Sequence, residues 1–316
     1  MDAGAFIYND DVINTPGGVW TTATNVLRAQ IEPDAGVFLT KQLVYIIALK
    51  QWTTEVFYDA GNATGSPLGA VQGAKANYGC ASADSVQSID DMLFWIATNR
   101  NSSTCVIQFD QLKLSKVSTK PVERLLDDGT LSDGVLSWTH KDEGHTFYGV
   151  TVKSLNRTLV WDVAEGMWSQ WTDTNGNYLP IVASTFTSSQ EHLVQLEDGN
   201  IYELDSEFVT DDWPASNSII TVDIYTPNFD AGNNWRKYMH TLTPIAGQLS
   251  GSVLQVRVSD DDYQTWSSFR KVSLNQPRPQ LTNWGTFRRR AHHLRHACPT
   301  QFSIEALEYD LMQGSV

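Results

Sequence analysis

The chain has 316 residues, 41% of them hydrophobic, 11% aromatic and only 18% charged, which supports a buried core and two domains and excludes a disordered chain or a stapled mini-protein. Its formal net charge of -14 makes general affinity for nucleic acid implausible over most of the surface, because acidic groups repel phosphate. No stretch approaches the roughly 18 to 20 consecutive apolar residues of a membrane helix, and the opening MDAGAFIYNDDV has neither the basic nor the apolar region of a signal peptide; a soluble protein without a membrane partner, made in the cytoplasm, is expected.

Strand signals dominate in chain order. Leu43–Lys50, Thr54–Ala60, Met92–Thr98, Cys105–Asp110, Thr146–Val152 and Arg157–Val163 are short β-branched and aromatic runs bounded by Gly, Asn, Asp and Ser. One short helix stands between them in STKPVERLLDDG, with Ser118 or Thr119 as cap, Pro121 in the first turn and Gly129 past the end. The strands TEVFYD, CVIQFD, TLVWD and NIYELD each close on an aspartate, Asp59, Asp110, Asp162 and Asp205, at spacings of 51, 52 and 43 residues. Repeats of about 40 to 50 residues are those of four-stranded propeller blades. The third unit shows three strands, joined by turn signals at Lys141–Gly144, Ser154–Asn156 and Ala164–Gly166. An aspartate at a strand end accepts hydrogen bonds from the backbone just beyond it, so turn chemistry accounts for the repeat without a metal or a catalytic carboxylate. Four units are too few to close most propellers. Either about 30 to 40 N-terminal residues add an irregular blade, or further sequence or another subunit completes the ring.

The repeat stops near Trp213 and Pro214, after which about six alternating strands separated by Gly, Asn and Pro turns suit a β-sandwich or jelly roll. The expected class is all-β, with a β-propeller-like domain over 1–213 and a β-sandwich-like region over 214–316. Charge divides at the same place. Residues 1–213 hold 12 basic and 28 acidic side chains, a balance of -16, whereas residues 214–316 hold 10 and 8, a balance of +2.

Two motifs in the second region carry the functional question. VSDDDYQTWSS fits the Asp-box pattern S-x-D-x-G-x-T-W through Ser259, Asp261, Thr265 and Trp266, except that Tyr263 stands where the pattern has glycine and disfavours a positive φ. The Asp box is a folding device with no catalytic group in it. A glycosidase of this kind needs several such turns, a nucleophile with a carboxylate partner and an arginine cluster. RRRAHHLRH is the densest basic run. Read as one strand, it alternates Arg288, Arg290, His292, Leu294 and His296 on one face with Arg289, Ala291, His293 and Arg295 on the other. It suits an edge strand docked on an acidic protein neighbour better than a DNA phosphate contact, and Arg288, Arg289, Arg290 and Arg295 are the expected partner contacts. Cys80, Cys105 and Cys298 fit no disulfide or metal spacing and read as reduced structural thiols; the histidines likewise lack a ligand set. P-loop, dinucleotide, nucleophile-elbow and zincin motifs are missing. No cofactor, metal or catalytic residue is expected.

An ordered series of segments resembles the packaged-DNA stabilisation, or tail hub, proteins of short-tailed bacteriophages. It runs through WTTEVFYDAGN (Trp52–Asn62), VQGAKANYGCASADSV (Val71–Val86), DDMLFWIAT (Asp90–Thr98), KVSTKPVERLL (Lys116–Leu126), GHTFYGVTVKSLNRTLVWDVAEGMW (Gly144–Trp168), DGNIYELD (Asp198–Asp205), and RVSDDDYQTWS followed by FRRRAHHLRH. The resemblance spans residues 36 to 313, and family members carry a longer region before the part matching Trp52. It implies a non-enzymatic virion protein of the phage tail, made in the host cytoplasm. Such a hub or nozzle subunit forms a homohexameric ring below the portal and the tail adaptor or connector proteins. It contacts fibre, spike or needle proteins, and double-stranded DNA passes its lumen without sequence-specific binding. The rival readings are a receptor- or glycan-binding tail component, with Trp168, Trp171 and Trp213 as a sugar platform, and an Asp-box glycosidase.

Overall fold

The computed structural model describes residues 6–8, 26–29, 31–62, 66–100, 102–189 and 191–314. Contacts divide the chain into two compact units between Leu204 and Asp205. Among the described residues the fold is all-β apart from one helix and two short 3-10 turns, and no helix there is long and apolar enough to cross a membrane.

The first unit opens with a pair, β1 (Phe6–Tyr8) and β2 (Val26–Arg28), and continues as four antiparallel meanders. The first meander holds β3 (Gly36–Gln42), β4 (Tyr45–Lys50), β5 (Thr54–Asp59) and β6 (Leu68–Ala70). The second holds β7 (Gln87–Ile89), β8 (Met92–Asn99), β9 (Ser102–Asp110) and β10 (Lys113–Lys116), followed by α1 (Lys120–Asp128). The third holds β11 (Val135–Asp142), β12 (His145–Val152), β13 (Arg157–Asp162) and β14 (Met167–Trp171). The fourth has three strands, β15 (Ile181–Phe186), β16 (His192–Leu196) and β17 (Ile201–Glu203). The third meander thus has one strand more than its sequence announces.

These sheets stack face to face, and the strand pleat sends alternate side chains into successive interfaces. On β8, Leu93, Trp95 and Ala97 join Ile47, Leu49 and Val56 of the first sheet, while Phe94 and Ile96 join Tyr148, Val150 and Val152 of the third. All five β8 residues are fully buried, which is why MLFWIAT reads as a continuous apolar run rather than an alternating one. Each such side chain contributes on the order of 1.5–3 kcal/mol of transfer free energy. Helix α1 seals the second interface through Val122 and Leu126, with Thr119 at its N-cap and Gly129 at its C-cap. Leu27 and Ala29, at the end of the β1–β2 pair, pack against Ile46, Ala48, Phe57, Leu68 and Ala70 of the first sheet. A two-stranded pair thus packs on the first sheet where an irregular N-terminal blade or a completing chain was expected; residues 1–5, 9–25 and 30 lie outside the described residues.

The repeat aspartates fall at the third strand of each meander. Gly61 N donates to Asp59 at 2.9 Å, Ala164 N to Asp162 at 2.9 Å and Glu207 N to Asp205 at 2.8 Å. Asp110 instead ends β9 at a two-residue turn in which Gln111 and Leu112 have φ 46° and 65°.

The second unit begins with a hairpin, β18 (Thr210–Asp211) and β19 (Ser218–Ile219), and is otherwise two sheets. Its remaining strands are β20 (Val222–Tyr225), β21 (Lys237–Ala246), β22 (Val253–Ser259), β23 (Arg270–Ser273), β24 (Leu281–Phe287), β25 (Ala291–His296) and β26 (Ile304–Gln313). One sheet has the order β20-β25-β22-β23 and the other β24-β21-β26. Met239, Leu242, Leu281, Trp284 and Phe287 from the second meet Leu254, Val256 and Leu294 from the first in one core, which is sandwich packing. The basic run departs from expectation here. Arg288–Arg290 are no part of a strand but the link that carries the chain from β24 in one sheet to β25 in the other. Nor is β25 an edge: it lies between β20 and β22. Of its polar side chains, His293, Arg295 and His296 find partners there, whereas both ring nitrogens of His292 are buried without a hydrogen-bond partner.

Candidate functional site

The two motifs meet. Strands β22 and β25 pair with Ser259 opposite Ala291, so the residues just beyond, the acidic turn after β22 and the arginine link before β25, face one another.

The turn itself is an Asp box in geometry. Asp261 accepts from Thr265 N at 2.9 Å, Thr265 Oγ1 at 2.5 Å and Ser259 Oγ at 2.8 Å, and these bonds, the Thr265 hydroxyl foremost, hold its carboxyl down to about 2. Ser259 Oγ accepts from Tyr263 N at 3.0 Å. Asp262 and Tyr263 have φ 60° and 70°. Tyr263 therefore takes the left-handed conformation that its side chain was expected to resist; its hydroxyl donates to Thr226 O at 3.1 Å and its ring lies against Trp266 at 6.1 Å.

The acids flanking Asp261 hold the arginines. Arg290 donates through Nε and Nη2 to Asp260, both at 2.7 Å, and lies 4.3 Å over the Phe287 ring. Its side chain is 2% exposed, against 41% for Asp260. Arg289 pairs with Asp262, both half-exposed, and Asn228 Nδ2 also donates to Asp262. Arg288 donates to Asn234 O at 2.7 Å. Arg295 makes a two-pronged contact with Asp223 of β20 at 2.8 and 3.1 Å. Arg289, Arg290 and Arg295 thus meet acids of their own unit, and Arg290 is turned inward; Arg288 and Arg289 remain exposed.

Asp223 also joins a relay around the buried His293. Arg257 Nε donates to His293 Nδ1 at 2.8 Å, and His293 Nε2 lies 2.5 Å from Asp223 Oδ1. Because arginine only donates, Nδ1 carries the lone pair and Nε2 the proton. The imidazole is neutral, and burial holds its pKa below the ordinary value despite Asp223. For Asp223, burial pushes upward, but the Arg295 and His293 bonds outweigh it and leave the carboxyl below its usual range. Around this relay, Arg257 is 5.2 Å from the Trp266 ring and 4.5 Å from Phe269, while Tyr225 stacks on His293 at 4.0 Å. Trp266 of the Asp box therefore belongs to an aromatic and guanidinium layer. His292 faces the opposite way, buried against Tyr309, and burial, helped by the Arg290 charge, pushes it down to about 4. This is an interlock, with its carboxylates paired, hydrogen-bonded or both, and it holds no free nucleophile or base poised over an open cleft.

Elsewhere, Trp168 donates to Val117 O at 2.8 Å and packs on Trp161, and Trp171 packs between Trp138 and Phe147. Trp213 is half-buried in the second unit. Packing thus engages Trp168 and Trp171, two of the three residues expected to form a sugar platform. Cys80, Cys105 and Cys298 are unbridged, and among the described residues no three metal-ligating side chains converge. A pair with no sequence signature is His140 and His192, buried on the third and fourth meanders with Nδ1 atoms 2.6 Å apart.

Comparison with known proteins gives one family match. The profile of the Phage_stabilise family, described as Bacteriophage P22 Gp10, beta-propeller, matches residues 21–209, more than half of the chain. No curated protein matches. Solved structures that align include the Trypanosoma rangeli sialidase, at 9% identity over 86% of this chain and 72% of that one, with a TM-score of 0.31. The exo-β-1,3-galactanase of Phanerochaete chrysosporium aligns at 10% identity over 92% and 72%, with a TM-score of 0.23. The fructofuranosidase of Schwanniomyces occidentalis aligns at 8% identity over 89% and 95%, with a TM-score of 0.25. At such scores none of these three bears on what this chain does.

Proposed function

The chain belongs to the Phage_stabilise family and is a bacteriophage structural protein; from that premise we propose that it is a non-enzymatic hub or nozzle subunit of the tail, working as a homohexameric ring. In this reading the ring sits below the portal and the adaptor or connector proteins, meets fibre, spike or needle proteins, and extends the channel through which double-stranded DNA is retained and then ejected. The subunit is made in the host cytoplasm and ends in the virion.

The observation that carries the reading is the family match over the propeller-like unit, and the charge distribution gives it a physical sense. The balance of -16 over residues 1–213 lets a wall built from that region pass DNA without gripping it. Support also comes from the fate of the basic run: with Arg290 and Arg295 paired to Asp260 and Asp223, little positive charge is left to trap a polyanion. Arg288, which bonds a backbone carbonyl, and Arg289, whose pair with Asp262 is exposed, are the cations offered to a protein neighbour. The test is the mass of the purified chain by light scattering, alone and mixed with the purified adaptor ring. A closed oligomer, or six copies joining the adaptor, is expected. A monomer that ignores the adaptor would overturn the reading.

A further inference from the structure

Three ionisable side chains are sealed together beside the turn between β4 and β5. Lys50 Nζ lies 2.8 Å from Asp34 Oδ1 and 2.5 Å from Glu55 Oε1, and all three side chains are at most 1% exposed. Nζ also donates to Glu32 O at 2.8 Å. An amine, a carboxyl group and a second carboxylate are thus in contact, and solvent is kept from all of them. Lys50 closes β4 and Glu55 stands in β5, so the turn that joins the two strands sets their separation. Asp34 is fixed from the same turn. Its Oδ2 accepts from Trp52 N at 2.9 Å and Thr53 N at 3.0 Å, and its Oδ1 accepts from Thr53 Oγ1 at 3.0 Å.

The two carboxylate oxygens of Asp34 are therefore unlike. Oδ2 sits under two backbone N–H donors, the arrangement that stabilises charge developing on a carbonyl oxygen during acyl transfer. Oδ1 faces the amine. Glu55 Oε1 touches the amine and accepts from Ile31 N at 3.1 Å, which orients it. Burial pushes the Asp34 carboxyl upward, but the Lys50, Trp52 and Thr53 bonds outweigh it and leave the group below its usual range. A condensation here must therefore draw its protons from the ammonium, and Glu55 is the group placed to carry them.

We propose that Lys50 and Asp34 condense to an isopeptide bond that staples the segment before β3 to the end of β4, with Glu55 as the proton carrier. Glu55 takes one proton from Nζ and passes it to Asp34 Oδ1. The freed lone pair of Nζ attacks Cγ, and negative charge gathers on Oδ2 under the Trp52 and Thr53 N–H groups. Glu55 then takes a second proton from the nitrogen and delivers it to Oδ1, and the Cγ–Oδ1 bond breaks with loss of one water. A Cγ–Nζ bond forms, a C–O bond breaks, Glu55 ends as the carboxylate it began as, and no further reactant is needed. Fixed contact supplies the proximity that a free amine and acid lack. The product keeps its partners: the amide carbonyl retains two backbone donors, and the amide N–H retains the Glu55 carboxylate. A neutral amide replaces a buried ion pair, and the exclusion of water that favours the bond also slows its hydrolysis. The bond forms within one chain, so it stands whether or not the chain builds a ring.

The test is intact-mass and peptide-mapping mass spectrometry of the purified full chain. The folded protein is expected to be one water lighter than its sequence, with trypsin failing to cut after Lys50 and residues 29–41 joined to 42–75 in one branched peptide. Lys50→Arg and Glu55→Gln are expected to restore the full mass. The wild-type mass decides even if neither variant folds. A wild-type chain of full sequence mass would overturn the proposal. So would a water loss that maps instead to a succinimide at Asp128–Gly129, Asp133–Gly134 or Asp198–Gly199 and is opened by hydroxylamine, or a branched peptide undiminished in folded Glu55→Gln.

Discussion

Replacing Asp260 by alanine is expected to destabilise the second unit more than replacing its partner Arg290 by methionine, although both changes delete the same ion pair. Asp260 is 41% exposed and Arg290 2% exposed. Removing the carboxylate strands a guanidinium in the interior, a change that costs about 3–5 kcal/mol when a buried charge loses its partner. Removing Arg290 leaves Asp260 able to rehydrate, and methionine keeps the contact with Phe287. That change also removes Arg290 Nη1, a buried donor without a hydrogen-bond partner, so only about 1–2 kcal/mol should be lost. For a unit of this size about 3 kcal/mol lowers Tm by more than 10 °C. The assay is thermal and urea denaturation of the two single variants and the double variant, with Asp262→Ala as the exposed-pair control, expected to change stability by about 0.5 kcal/mol or less. An Arg290→Met loss equal to or larger than that of Asp260→Ala would refute the reasoning.

Gly149→Ala places a Cβ 2.2 Å from the Trp138 ring and should cost about 1–3 kcal/mol by overpacking, or more if the indole cannot shift; urea midpoints measure it. His192 and His292 are each held down to about 4 from 6.5 by burial. A base whose folded pKa is depressed loses stability as pH falls from 6.5 toward 4. Each imidazole should therefore destabilise its unit by about 2 kcal/mol at pH 5 relative to pH 7.5, and His192→Phe should remove the share of the first unit. Burial pushes Cys80 up to about 12 and Cys105 up to about 11. A thiol reagent at pH 8 should therefore modify half-buried Cys298 first and reach the other two on the timescale of unfolding.

The elements that could be read directly from the sequence are those whose environment is set locally. MLFWIAT announced a strand, Pro121 and Gly129 bracketed the helix, and three of the four repeat aspartates, Asp59, Asp162 and Asp205, accept backbone bonds in the turns they marked. The outer strands β6, β10 and β14 were harder. LGA, KLSK and MWSQW are short and contain no fully buried residue, so no apolar period marks them. RRRAHHLRH misled in a different way. Its arginines are a link because the chain changes sheets there, and β25 is central because it pairs with β20 and β22, strands some 70 and 38 residues away in register. Such long-range order leaves no trace in a local pattern. The one available signal was compositional: three consecutive acids, Asp260–Asp262, and three consecutive arginines, Arg288–Arg290, in the same region. Tyr263 shows the opposite error, a local preference overridden by the bonds of Ser259, Asp261 and Thr226.

The proposed role, from which the rest follows, is to hold the genome in the finished particle. The most direct measurement is DNA retention in particles assembled with the chain's gene inactivated, followed by addition of the purified protein. Heads that fill and then lose their DNA, and are rescued by the protein, are the expected result. Particles that keep their DNA and infect normally without the chain would contradict it.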